Sequence, residues 1–222
     1  MKSSMIAHES TLPRSRSWMV ALRGFAKPHA LGVERCNVCG QPVGGDHDHL
    51  LDIAASQLLC ACPTCAADPA AAGSNTRRIP REVRPLTGFR ISDAQWDSLL
   101  LPIGLAFFVR SSAAGRVAAM YPSPAGTVES LLPLDAWQAM EADNPELARI
   151  EPDVEALLVH RVGGARKYYV APIDRCYALA GLLRREWRGF SGGQGVWDAV
   201  AQFFAELDGA GVAAHDRIVQ HA

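Results

Sequence analysis

Five cysteines and two histidines fall within the thirty residues from Cys36 to Cys65, in the stretch CNVCGQPVGGDHDHLLDIAASQLLCACPTCA. Cys36-x-x-Cys39-Gly40 has the spacing of a metal knuckle. A two-residue gap puts both sulfurs on one side of a tight turn, and a glycine there permits the backbone to turn its amides toward sulfur. Cys62-Pro-Thr-Cys65 repeats the spacing, with 22 residues between the two pairs. Two such pairs at that separation read as a four-thiolate site, most often structural zinc. The plain alternative, reduced cysteines packed as small hydrophobes, rarely yields two matched pairs.

Three further residues in the stretch bear chemistry. Cys60 stands two before Cys62, and residues two apart on a strand share a face. It could replace Cys62 or Cys65, react as a thiol beside the site, or support and pack against the ligands, the reading placed first. His47 and His49 also lie two apart. They offer a second metal, a ligand exchanged into the first site, or a general base. Their plain reading is a polar loop bonded to Asp46, Asp48 and Asp52.

These residues need elements to hold them. LLCAC reads as a strand leading into a second knuckle. The segment 76–90 is rich in Arg and Pro and reads as a basic linker. Ser92 or Asp93 opens a helix over ISDAQWDSLL. IGLAFFVR and RVAAMYP then read as two strands around SSAAG, with LLPLDAWQAMEADNP as a strand end and helix stopped at Asn144–Pro145. VEALLVHR and ARKYYVAPI repeat the pair, and PIDRCYALAGLLRREWRGF is a second helix. "LLPLDAWQAM" and "VAPIDRCYAL" align as an internal ββα repeat, with Asp135 and Asp174 as candidate caps. GVWDAVAQFFAEL closes the domain as a last amphipathic helix.

Elsewhere the chain offers little catalytic chemistry. His160 and Cys176 read as core or surface residues, and SPAG and SGGQG as glycine turns outside any phosphate-loop pattern. Trp187 with Arg184, Arg185 and Arg188 makes a basic, aromatic helix end. Cations at a helix C-terminus are favourable in themselves. Trp and Arg are also favoured interface anchors, which makes Trp187 and Arg188 docking candidates.

The 222 residues are 49% hydrophobic and 20% charged, an ordinary globular composition. Residues 1–90 carry 11 Lys/Arg against 7 Asp/Glu, net +4, and residues 91–222 carry 11 against 16, net −5. Neither asymmetry demands nucleic acid or a membrane surface. Between Cys36 and Gly73 there is no Lys or Arg, so nucleic acid is not the expected partner of the cysteine segment. The most apolar run, LLLPIGLAFFV, is too short to insert in a membrane. MKSSMIAHESTLPRSRSW lacks the apolar centre of a signal peptide. The expected location is cytoplasmic, where clustered cysteines bind metal rather than form disulfides.

Three resemblances follow from these blocks. The pattern CxxCG…DHDH…LLCxxC resembles HNH, or ββα-metal, nucleases. That implies His47 as general base and Asp46 as a ligand of a catalytic ion. CNVCG and CPTCA resemble the two iron-binding knuckles of rubredoxin, which implies an iron redox carrier. The ordered blocks CNVCG…H-x-H-L-x-D…LLCAC…C, PIGLAFFVRSSAAGRVAAMYPSPAGTVESLLPLDAW, EPDVEALLV and YYVAPIDRCYALAGLLRREWRGFSGG, over about residues 33–207, resemble an uncharacterised bacterial family. Its genes are typically found beside those of uptake nickel–iron hydrogenases. This third resemblance implies a hydrogenase subunit or maturation protein as partner.

The expectation is therefore an α+β protein. A flexible segment, 1–30, precedes a zinc-ribbon or treble-clef-like metal module, 31–75. The linker, 76–90, leads to a compact domain of two ββα units plus a C-terminal helix, 91–208, and a tail, 209–222. Cys36, Cys39, Cys62 and Cys65 hold zinc, with iron as alternative. Cys60, His47 and His49 are possible additional ligands. The role expected is that of a non-enzymatic accessory factor in hydrogenase assembly, maturation or partner docking.

Overall fold

The computed structural model describes residues 33–219 apart from 131, 133, 190 and 191. The expected flexible segment 1–30 lies outside the described residues. The fold is mixed α+β, with a three-stranded and a six-stranded antiparallel sheet.

The cysteine segment builds the small sheet. Strands β1 (Asp48–Asp52) and β2 (Gln57–Ala61) form a hairpin, followed by a short helix, α1 (Pro63–Ala67), and β3 (Thr76–Arg78). The sheet order is β2-β1-β3. Pro63 occupies the first turn of α1, where its missing N–H costs nothing. The helix ends before Asp68–Pro69, because a residue preceding proline is pushed out of helical conformation.

The large sheet is built from β4 (Arg84–Pro85), β5 (Leu105–Ser111), β6 (Arg116–Ser123), β7 (Gly126–Ser130), β8 (Glu155–His160) and β9 (Lys167–Pro172), in the order β4-β9-β8-β5-β6-β7. Helices α2 (Asp93–Ser98) and α3 (Leu134–Asp143) belong to one face, and α4 (Ile173–Glu186) and α5 (Gln194–Val219) to the other. The run LAFFV serves both faces. Leu105, Phe107 and Val109 pack with α4 and α5, while Ala106 and Phe108 pack with Trp96 of α2 and with Trp137 and Met140 of α3. Side chains alternate along a strand, so a central strand covered on both faces must be apolar throughout.

The small sheet is not a separate satellite. Leu51, Leu58, Ile79 and Val83 are buried in the same core as Phe107, Leu158 and Leu183. The expected linker is corrected accordingly. Residues 76–90 carry β3 and β4, with Ile79, Val83 and Phe89 buried. Prolines and arginines hid these three apolar positions, which follow no strand or helix period. The arginines are held by acids. Arg84 makes two hydrogen bonds to the buried Glu155 carboxylate, at 2.8 and 3.1 Å, and Arg77 donates to Glu151.

The ββα repeat is also corrected. The first unit has a third strand, β7, turned from β6 at Pro124–Ala125. Its residues are all half-buried, so it shows no alternation in sequence. Asp135 and Asp174 sit inside the first turns of α3 and α4, and neither is the cap residue. Ser92 does cap α2, in a reciprocal capping box with Gln95. The last helix does not stop near residue 208 but runs to Val219, and the remainder of the expected tail lies outside the described residues. Gly104 is required by a close approach, since a Cβ there would lie 2.8 Å from the Arg161 carbonyl oxygen.

The Arg84–Glu155 pair fastens β4 to the sheet. Arg84→Ala strands a buried carboxylate and should cost about 2–4 kcal/mol in urea unfolding. Adding Glu155→Gln should recover part of that loss, because the stranded charge is then gone.

Candidate metal centre

The first knuckle is closed by its own backbone. Cys36 N–H donates to Gln41 O at 2.8 Å, Gly40 N–H donates to Cys36 O at 2.9 Å, and Val43 N–H donates to Glu34 O at 2.8 Å. Gly40 has φ +76°, the left-handed conformation such a turn requires. The second cysteine pair is not a second knuckle. Cys62 is the N-cap of α1 and Cys65 lies within the helix, so the pair projects from a helix start. Proline at the first helical position favoured the helix over a second turn.

Cys36, Cys39, Cys62 and Cys65 bring their sulfurs within 4.8 Å of one another. The Cys39 and Cys62 sulfurs are 3.7 Å apart. Bonds of about 2.3 Å to a tetrahedral zinc require sulfurs roughly 3.8 Å apart, whereas a disulfide requires about 2.05 Å. The donor set and its spacing therefore fit a metal ion. Cys36 and Cys62 are buried and Cys39 is exposed, so the cage lies at the protein's edge. Beneath it Leu50, Ala61 and Ala66 pack with Val38 and Cys65.

The thiols are electrostatically unequal. Burial opposes ionisation of Cys36, but the backbone amides of Cys39, Cys62 and Val38 outweigh it and bring the thiol down to about 6. Cys65 is pushed up to about 12, first by its neighbour Cys62, then by burial and by Cys39 and Cys36. One thiolate is ready, while Cys39 and Cys65 resist ionising beside it. A divalent cation removes that resistance, so binding it expels protons.

Cys60 does not share the cage with Cys62. It lies on β2 directly opposite His49 of β1, while Cys62 stands beyond the strand end. The ligand atoms of His47, His49 and Cys60 form a second group, also within 4.8 Å of one another. The expectation that Cys60 and Cys62 project together is thus overturned by the end of β2 at Ala61, between them. His49 Nδ1 lies 2.8 Å from Oδ2 of Asp174, which is 125 residues away on α4. Asp174 first, and Cys60 next, raise His49 to about 9 against the opposing effect of burial. Sequence reading missed Asp174 here, because only the packing of α4 brings it to the hairpin.

Asp46 is exposed and paired with Arg81. Asp48 is buried and accepts from Arg78 at 3.0 Å. Asp52 accepts from the Ala55 N–H, closing the hairpin turn. None of the three aspartates binds His47 or His49, so the plain reading of the histidines as partners of these acids does not hold. Cys176 is fully buried, which pushes its thiol up, and His160 packs on Phe204 with ring centroids 4.2 Å apart. Trp187 is half-buried against Trp197, and its Nε1–H donates to Gly189 O. Arg188 Nη1 donates to the Arg185 and Trp187 carbonyls at the end of α4.

The fold and site define a class: a mixed α+β protein whose small sheet carries a four-cysteine group able to hold a metal ion. The chain belongs to a family described as being of unknown function, DUF5947, whose profile matches residues 35–211. No curated protein and no solved structure matches it. No helix among the described residues is long and apolar enough to cross a membrane.

If the four cysteines are the ligands, Cys39→Ser or Cys62→Ser should cost the tightly bound metal and open residues 36–67 to thermolysin. Trypsin would report nothing, because that segment holds no Lys or Arg. The six-stranded body should keep its cooperative urea transition. Unchanged metal content in both variants would overturn the assignment.

Proposed function

We propose that this protein is a non-enzymatic, zinc-binding accessory protein of the cytoplasm, acting on a hydrogenase subunit or on a maturation protein. The observation that carries the accessory reading is the closed character of the four-cysteine cage. Four sulfurs satisfy a zinc ion completely and leave no position for a substrate, as in structural sites. Knuckle, hairpin and helix follow one another in treble-clef order, and an ion there would fasten the knuckle and α1 to a hairpin face with only three buried apolar residues of its own.

The alternatives fit the geometry less well. A rubredoxin-like iron carrier would use two knuckles, and here the second pair starts a helix. In the HNH-like reading Asp46 and His47 would meet an ion and a phosphate. Asp46 is instead engaged by Arg81, and the His47 side chain is only 6% exposed. The hydrogenase partner rests on the family resemblance over residues 33–207.

Docking is assigned to the α4 end at Trp187 and Arg188. Trp187 also packs in the molecule, and a Cβ on Gly192 would crowd its ring at 3.3 Å. Arg188→Glu is therefore the informative change, since it reverses charge while leaving the indole in place.

Protein purified without added metal should be colourless and hold one tightly bound zinc per chain. A red, iron-containing product would replace the accessory reading with the redox one. The wild type should co-purify with a hydrogenase component, and Arg188→Glu should reduce that recovery at least tenfold while lowering the melting temperature by only a few degrees, the cost of losing the cation at the end of α4. Normal hydrogenase activity in a deletion strain, together with no association, would end the hydrogenase assignment.

A further inference from the structure

The group His47, His49 and Cys60 is built by three separate constraints. The hairpin register sets His49 across from Cys60. Both backbone groups of Cys60 are turned away from β1 and taken by the first knuckle. Its N–H donates to Asn37 Oδ1 at 2.6 Å, and its carbonyl accepts from the Asn37 N–H at 2.8 Å. Cys60 and His49 are therefore a non-hydrogen-bonded cross-strand pair, the type whose side chains stand closest. The loop entering β1 then lays the His47 ring edge-on to His49, with centroids 4.7 Å apart.

Each imidazole is oriented through Nδ1. That of His47 lies 2.7 Å from the Gly44 carbonyl oxygen and 3.4 Å from a Glu34 carboxylate oxygen. That of His49 lies 2.8 Å from Asp174 Oδ2. These partners only accept, so Nδ1 carries the proton and Nε2 is the nitrogen left to bind. Carbonyl or carboxylate behind an imidazole is the usual support of a metal-binding histidine. His47 Nε2 is buried and has no hydrogen-bond partner, in a side chain 94% buried. A buried nitrogen left so has lost water without a replacement, a cost that a metal ion would remove.

We propose that His47, His49 and Cys60 form a second metal site, separate from the four-cysteine cage, for zinc or a related divalent transition ion. The ion takes Nε2 of each histidine and the Cys60 thiolate, displacing to solvent the thiol proton and the proton that a charged His49 holds on Nε2. Asp174 is a positioning residue that holds His49. Tetrahedral bonds of about 2.0–2.3 Å place ligand atoms roughly 3.3–3.8 Å apart, so small side-chain rotations complete the site. Three protein ligands leave a fourth position open, which is the pattern of reactive or exchangeable zinc and not of structural zinc. A cleft of about 170 Å³, lined by His47, His49, Arg81, Asp174 and Arg175, opens beside the two histidines. The site stands independently of the hydrogenase reading.

The test is metal stoichiometry of the full chain after zinc loading and gel filtration. The wild type should hold two zinc ions, and Cys60→Ser and His49→Ala one each with an unchanged circular dichroism spectrum. Cobalt(II) added to protein holding one zinc should give a thiolate-to-cobalt absorption band that Cys60→Ser abolishes. Asp174→Asn should weaken the second ion about 10–100-fold and leave the first untouched. One zinc in the wild type with excess metal, or two in Cys60→Ser, would overturn the site. Loss of both ions in Cys60→Ser would assign Cys60 to the first cage and overturn it equally. Absence of any hydrogenase association would leave all these counts unchanged.

Discussion

The register of the β1–β2 hairpin is the constraint on which the other features depend. Leu51 faces Leu58 across the pair, and His49 faces Cys60. Because side chains alternate, these four residues share one face, and Leu50, Leu59 and Ala61 share the other. The first face turns to the body, where Leu51 and Leu58 enter the large core and His49 meets Asp174. The second turns to α1 and the four-cysteine cage, where Leu50 and Ala61 are fully buried. A slip of one residue would move every one of these side chains to the wrong face.

The two faces have different reasons to persist. The body-facing side is held by apolar burial shared with more than twenty core residues, so it resembles an ordinary domain interior. The cage side has only three buried apolar residues beneath it. A metal ion held by the four cysteines would supply the cohesion that such a small cluster lacks against the chain entropy of ordering its own loops. Asn37 links the two. It sits in the knuckle that closes the cage, yet its side chain and backbone clamp Cys60 on the strand. An ion in the cage would thus also steady the position of Cys60.

Charge follows the same division. The arginines of residues 77–84 are matched to Glu151, Asp48, Asp46 and Glu155, two of which are buried. These pairs fix the segment that joins the sheets. The segment is thereby a seam between them and not a hinge. Behind it the body is covered on both faces, with Asn144 tying the Arg90 backbone to the end of α3 through bonds of 2.6 and 2.8 Å.

The sequence by itself determined the four-cysteine group, the α+β class, the central strands and the start of α2 to within one residue. Each of these is written in local spacing: two residues between thiols, apolar runs of strand length, Ser92 three before Gln95. It left the second cysteine pair, β4 and β7 unreadable. Cys62 and Cys65 have one spacing whether they turn as a knuckle or start a helix. Arg84–Pro85 is too short to show a period, and Gly126–Ser130 is half-buried throughout. Only the tertiary structure decided that Cys60 belongs with His47 and His49, and that Asp174 stands behind His49. Cross-strand register and the docking of α4 join residues up to 125 positions apart, and no local pattern records which distant side chain a buried face will meet.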